Sequence, residues 1–247
     1  MGKMILFAGK EIPAGNDIAS GATFQGRRVI ATSLNVSDEA EPKQEGSANV
    51  IQVAWNRGSP LSCRSLALKC ENEGGVDEAA LFFDEFYFAT RFRAVTNNAQ
   101  ILEELIGSYQ YLTQELLSRF QRHTERNFKI AFVHKSNFSL SDGINSASLR
   151  ASGVELSNPL IASASGAFKA FAENIAASLA EGGNVIPLLV SCEPSNDLSK
   201  RDSALSMWLC EYMDAIDSLK KPLSPKQKAS WITAGAKKPS GFGILGF

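Results

Sequence analysis

The stretch Ile161-Ala-Ser-Ala-Ser165-Gly-Ala-Phe168-Lys169-Ala-Phe171-Ala-Glu-Asn-Ile175-Ala-Ala-Ser-Leu179-Ala-Glu181 decides how the rest of the chain is read. Small residues crowd its first half, while Phe168, Phe171, Ile175 and Leu179 return at steps of three and four, the period of a helix that buries one stripe. A long helix that packs closely against its neighbours is expected over 161–181. Ser165 and Lys169 stand one turn apart on one face of it, the spacing at which two side chains can act on a single atom.

Outward from this helix the chain alternates short apolar runs with helical patterns. Strands are expected over 4–8, 27–33, 50–54, 79–83, 129–133, 184–190 and 229–235, and helices over 15–24, 61–71, 97–123 and 197–218. Ser59 followed by Pro60 marks a helix start, serine as cap and proline in the first turn. Continuous apolar runs suit strands buried on both faces. The order implies an α/β protein: a three-layer αβα, Rossmann-like fold around a parallel, doubly wound sheet of about seven strands.

Bulk properties narrow the function classes. A chain of 247 residues can bury one sizeable core, so residues 1–235 read as a single domain and 236–247 as a tail. With 25 basic against 26 acidic residues there is no overall field to attract nucleic acid or a membrane. No apolar run approaches the roughly 20 residues of a membrane span. The opening run breaks at Lys10-Glu11 before a signal-peptide core could form, so a cytoplasmic protein is expected. Cys63, Cys70, Cys192 and Cys210 form no Cys-x-x-Cys pair and have no histidine at ligand spacing, which reads as free thiols and no metal site.

The 161–181 segment resembles the catalytic helix of the short-chain dehydrogenase/reductase family, whose signature is Tyr-x-x-x-Lys ahead of an alanine-rich helix. Here the pattern reads Ser165-Gly-Ala-Phe-Lys169: the lysine position is filled and the tyrosine position is not. In the family, the lysine and the cofactor lower the phenol's pKa from about 10 so that it exchanges a proton with a carbonyl or alcohol. An aliphatic hydroxyl starts far higher. By the same register the family's catalytic serine falls on Lys135, with Ser136 one residue late and so facing the other way, and the relay asparagine falls on Glu104. His134 reads as hydrogen-bonded structure, with general acid as the alternative.

The resemblance extends to the cofactor positions. Gly9 and Gly15 match two glycines of the family's Thr-Gly-x-x-x-Gly-x-Gly turn, but Pro13 stands at the middle glycine and removes a donor. That loop reads as a structural turn in place of a dinucleotide cradle. Thr32 and Ser33 offer no carboxylate to the ribose of NAD, which leaves NADP the less disfavoured cofactor, if either binds. Trp55 occupies the adenine-binding aspartate position and reads as a ring that plugs the slot or packs in the core. Gly74-Gly-Val-Asp77 matches the turn into the fourth strand, after which Phe82-Phe-Asp84-Glu85 replaces Asn-Asn-Ala-Gly. Asp84 and Glu85 read as solvated strand-end carboxylates, with paired acid/base catalysis as the alternative.

Three functions are compatible with these residues. The first is a family-like scaffold without standard oxidoreductase activity, acting as a binding or regulatory protein toward a small molecule or a protein. The second is an atypical NADP(H)-dependent oxidoreductase in which Lys169 orients the ribose and Lys135 or a bound water supplies the proton. The third is a nucleotide sensor. The resemblance also implies a homo-oligomer, dimer or tetramer, packed through the 97–123 and 161–181 helices. The Ser/Gly/Asn-rich loop between 137 and 159 and the basic tail, with its apolar end, are further candidates for a role, the tail as an oligomer contact.

Overall fold

The computed structural model describes residues 2–34, 49–93, 97–136 and 159–239. The stretch with Asp38, Glu39, Glu41 and Glu45, whose charges with Pro and Gly suit a solvated loop, the Ser/Gly/Asn-rich loop and residues 240–247 of the tail lie outside them. Seven strands form one sheet: β1 (Met4–Ile12), β2 (Arg28–Ser33), β3 (Val50–Ala54), β4 (Glu78–Asp84), β5 (Phe128–Lys135), β6 (Val185–Cys192) and β7 (Trp231–Thr233). They lie in the order β3-β2-β1-β4-β5-β6-β7, and every neighbouring pair is parallel. The helices are α1 (Asn16–Phe24), α2 (Pro60–Asn72), α3 (Glu85–Arg91), α4 (Asn98–Leu102), α5 (Ser108–Phe120), α6 (Pro159–Ala180), α7 (Asp202–Asp217) and α8 (Pro225–Lys228). This is the expected three-layer, doubly wound arrangement.

Alternation along the strands divides the core in two. Met4, Leu6 and Ala8 of β1 face the layer of α2, α5 and α6, together with Leu81, Phe83, Leu112 and Phe168. Ile5 and Phe7 face α1 and α7, with Ile18, Phe82, Leu205, Leu209 and Met213. Phe168 anchors α6: its ring centroid lies 4.9 Å from Tyr109 and 5.2 Å from Phe83. Burying such a ring contributes about 1.5–3 kcal/mol. Its neighbours Ala164, Ala172 and Ala176 are fully buried, which is why the helix is rich in small residues.

Two of the differences from the sequence expectation shape the site. First, β1 does not stop at Gly9 but continues to Ile12, pairing with β2 through Phe7 and Ala31 and again through Ile12 and Ser33. Between these pairs four residues of β1 stand against one of β2, an irregularity that places Lys10 and Glu11 at the carboxyl edge of the sheet. Second, the expected 97–123 helix is broken by one π-type turn, Glu103–Gly107, between α4 and α5. The last helix is also shorter than expected, because a separate turn, Asp197–Lys200, precedes α7. No helix among the described residues is long and apolar enough to cross a membrane.

Candidate functional site

In an open parallel sheet, ligands bind outside the carboxyl ends of the strands where the strand order reverses. Here that point lies between β1 and β4. It is crossed by the chain's own charges. Lys10 Nζ donates to Asp84 Oδ2 at 2.7 Å and also to Asp202 at the start of α7. Lys135 Nζ at the end of β5 donates to the other Asp202 oxygen at 2.6 Å and lies 3.6 Å from Asp84. Two lysines and two carboxylates therefore tie β1, β4, β5 and α7 together. Burial works against the charged forms, but the partners prevail: Lys10 is held above, and Asp202 below, its ordinary pKa.

Beside this lattice Glu11 is fully buried. Its Oε1 accepts from Arg57 Nη1 at 2.9 Å; its Oε2 accepts from the Tyr87 hydroxyl at 2.6 Å and from Arg91 at 3.2 Å. Burial pushes the carboxyl pKa up, but the guanidiniums of Arg57 and Arg91 outweigh it and leave the group below the usual carboxylate value. Arg57 has no exposed side-chain surface. Its guanidinium carbon lies 4.6 Å from the Trp55 ring, 4.8 Å from Phe88 and 4.8 Å from Tyr109. The π-type turn completes the site, for the Glu104 carbonyl accepts from Arg57 Nε at 2.9 Å and from the Ser108 hydroxyl at 2.5 Å. The Glu104 carboxylate, at the family's relay position, pairs with Arg91 at 2.6 Å and accepts from Gln100 at 2.9 Å.

The residues expected at the catalytic position divide between two places. Ser165 is buried and donates to Glu85 Oε1 at 2.5 Å, with His134 Nε2 2.7 Å away. His134 stacks on Phe83 and Phe168 and meets Trp231 edge-on. Ser165 Oγ and Glu85 Oε1 both approach the same ring nitrogen of His134, 2.7 and 3.4 Å away, so the serine sits between acid and base and not at the end of a relay. Lys169 is exposed, its Nζ 5.6 Å above the Trp231 ring. Lys135 is drawn instead to α7 in the opposite layer. Ser165, Lys169, Lys135 and Glu104 thus do not converge on one reacting atom.

The expected cofactor residues are equally engaged. A Cβ on Gly9, at φ 105°, would collide with the Phe82 carbonyl, which also accepts from the Tyr109 hydroxyl. One on Gly15 would collide with the Lys10 carbonyl. The space on the Cβ side of these glycines is filled by carbonyl oxygens of this chain. Pro13 is exposed, and its carbonyl accepts from Asn16 at 3.1 Å. Thr32 is buried with no hydrogen bond to its hydroxyl, while the Ser33 carbonyl accepts from the Trp55 amide at 2.8 Å. Trp55 is fully buried and points its indole N–H at Cys63 Sγ, 3.3 Å away; Phe82 is also buried.

One expectation is reversed. Asp84 and Glu85 are not solvated: both are buried, Asp84 capping α3 through the Tyr87 amide at 3.0 Å as well as pairing with Lys10. Glu11, Arg57, Tyr87 and Arg91 were not singled out in the sequence. The available signal was the charged doublet Lys10-Glu11 flanked by apolar Phe7-Ala8 and Ile12.

The fold is that of the short-chain dehydrogenases/reductases. The Sniffer protein of Caenorhabditis elegans is 15% identical and superposes with a TM-score of 0.64 over 97% of this chain and 100% of that chain. A short chain dehydrogenase from Mycobacterium smegmatis is 15% identical with a TM-score of 0.61, covering 96% and 93%. The 3-ketoacyl-(acyl-carrier-protein) reductase of Brucella melitensis, complexed with NADH, is 14% identical with a TM-score of 0.56, covering 92% and 88%. In sequence, an uncharacterized protein of Treponema pallidum (strain Nichols) is 23% identical over 245 residues, 96% of this chain and 95% of that protein. No protein-family model matches the chain.

Proposed function

We propose that this protein keeps the dehydrogenase scaffold without dinucleotide-dependent hydride transfer and serves as a binding or regulatory protein. One observation supports the reading: the buried Glu11–Arg57 pair and the Lys10–Asp84 contact lie at the switch point, where family members hold the dinucleotide. Hydride transfer needs a nicotinamide, a proton donor and a substrate in one water-excluded place. The groups at the family's catalytic positions are spent on Ser165–Glu85, Lys135–Asp202 and Glu104–Arg91 contacts. The test is turnover. Purified protein with NADPH or NADH and a panel of aldehydes, ketones and acyl thioesters is expected to leave the reduced-nicotinamide absorbance unchanged. Catalysed oxidation of either cofactor by any panel member would refute the proposal.

The protein assembles with copies of itself through α5 and α6 in the same proposal. Support comes from the outer face of α6, where Ala162, Gly166, Ala170 and Ala177 are exposed and allow a partner helix to approach closely. Light scattering on the eluting protein is expected to give a dimer or tetramer mass, and Ala170→Arg to give a monomer. A monomeric mass for the unmodified chain at high concentration would exclude this assembly.

A further inference from the structure

Where β6 and β7 meet α7 and α8, the chain leaves a cavity of about 300 Å³ that shares no residue with the charge pairs of the switch point. Leu188, Leu223 and Ile232 give it an apolar floor. Small-molecule sites run from roughly 300 to 1,000 Å³, so the volume suits one short aliphatic chain.

Most polar groups around the cavity are already spent. Ser224 and Gln227 bond each other in the cap of α8, and the Ser230 hydroxyl donates to the Lys226 carbonyl at 2.6 Å. Two groups are not. Tyr212 is 8% exposed and packs on Trp208, yet its hydroxyl makes no hydrogen bond to any described residue. Burial holds this phenol above its ordinary pKa, so it is a donor at neutral pH. Lys226 is exposed and has no ion pair among the described residues. None of the described lining residues is acidic. From Leu219 to Pro239 the sequence holds six lysines and no Asp or Glu, and only Lys238 among them meets a carboxylate, Glu211 at 2.7 Å. The positive charge at this cavity is therefore not neutralised from within the chain.

We propose that this cavity binds a short aliphatic carboxylic acid, its chain against Leu188, Leu223 and Ile232 and its carboxylate accepting from the Tyr212 hydroxyl with Lys226 alongside. A hydrogen bond to a charged acceptor outweighs an exposed ion pair, so Tyr212 carries the larger part of the recognition. The site stands whether or not a nucleotide binds at the switch point.

The test titrates the full-length protein calorimetrically with octanoate and with octanol, probes of nearly equal shape that differ in charge. Octanoate is expected to bind at one site per chain about tenfold or more tightly than the alcohol. Tyr212→Phe removes a hydroxyl that bonds nothing in the chain, so the melting temperature is expected to stay unchanged while the preference for the acid falls severalfold. Lys226→Met is expected to narrow the preference by less, and the double variant to bind the two probes equally with the alcohol's affinity kept. Leu223→Trp fills the cavity from its half-buried rim and is expected to lose both probes while the circular dichroism spectrum stays unchanged. Equal affinity of the two probes for the unmodified protein, no saturable binding of octanoate, or a preference that survives in the double variant would overturn the proposal. Should Leu223→Trp fail to fold, the two probes on the unmodified protein and on the double variant still decide the matter.

Discussion

Replacing Arg57 by methionine tests whether the switch-point crevice is held shut by charge. Both Arg57 and Glu11 have no exposed side-chain surface, so their pair is screened little by solvent or salt. Methionine keeps an apolar stem among Trp55, Phe88 and Tyr109 but leaves the Glu11 carboxylate buried with only Tyr87 and Arg91. Breaking one side of a buried pair costs about 3–5 kcal/mol. Arg91 remains 3.2 Å from Glu11, which favours the lower end, about 3 kcal/mol. For a chain of this size that corresponds to a fall in melting temperature of roughly 6–12 °C. The assay is urea unfolding followed by tryptophan fluorescence, with Glu11→Gln and the double variant completing a cycle. The expected coupling is about 2 kcal/mol, because the double variant buries no unpaired charge. The gap is also pH-dependent. Glu11 has a folded pKa below the ordinary 4.5, so its stabilisation is full above that value and is lost as pH falls through the folded pKa. The deficit of Arg57→Met is therefore widest near neutrality and narrows in acid. A cost under about 1 kcal/mol, or strictly additive single substitutions, would refute the reasoning.

Four further outcomes follow from the same contacts. Gly9→Ala meets the Phe82 carbonyl at a positive φ, so a loss of about 3 kcal/mol or more is expected in the same unfolding assay. Asp214, pulled down to about 2 by Arg27 and Lys3 in spite of partial burial, and Asp217, lowered by Lys129 and Lys3, add stability above the ordinary 3.8 that disappears as pH falls toward 2; Asp214→Asn should flatten that acid limb. Ser165→Ala should cost about 1–3 kcal/mol by taking a buried partner from Glu85 and His134, whereas Lys169→Ala, exposed over Trp231, should cost under about 1 kcal/mol. All four cysteines are buried, and burial lifts Cys70 and Cys210 to about 12 and Cys192 to about 11, so dithionitrobenzoate should label the native protein only as it unfolds.

The fold was legible because its signals are local. Apolar runs such as Ile5–Ala8 and Leu81–Phe83 end at charged or glycine residues, and the Phe168 stripe repeats at a helical period. The Ser59-Pro60 cap fell where α2 begins. The charged and polar pairs at the sheet's carboxyl edge were not legible, because they join residues distant in sequence: Glu11 with Arg57, Lys10 with Asp202, Ser165 with Glu85. Glu11 in particular reads as the polar end of a strand until the strand is seen to run past it. Asp84 and Glu85 misled for a related reason. Two adjacent carboxylates suit solvent unless partners arrive from elsewhere: Lys10 and Lys135 reach Asp84 from other strands, and Ser165 reaches Glu85 from α6. The π-type turn left no periodic trace, since a single extra residue shifts the helical stripe by less than the stripe is wide.

The most direct measurement is calorimetric titration of the purified protein with NADPH and with NADH. The account predicts no saturable heat for either, which means affinity weaker than about 1 mM, or less than about 4 kcal/mol of binding free energy. Saturable one-to-one binding in the micromolar range, lost in Gly15→Val, would contradict it.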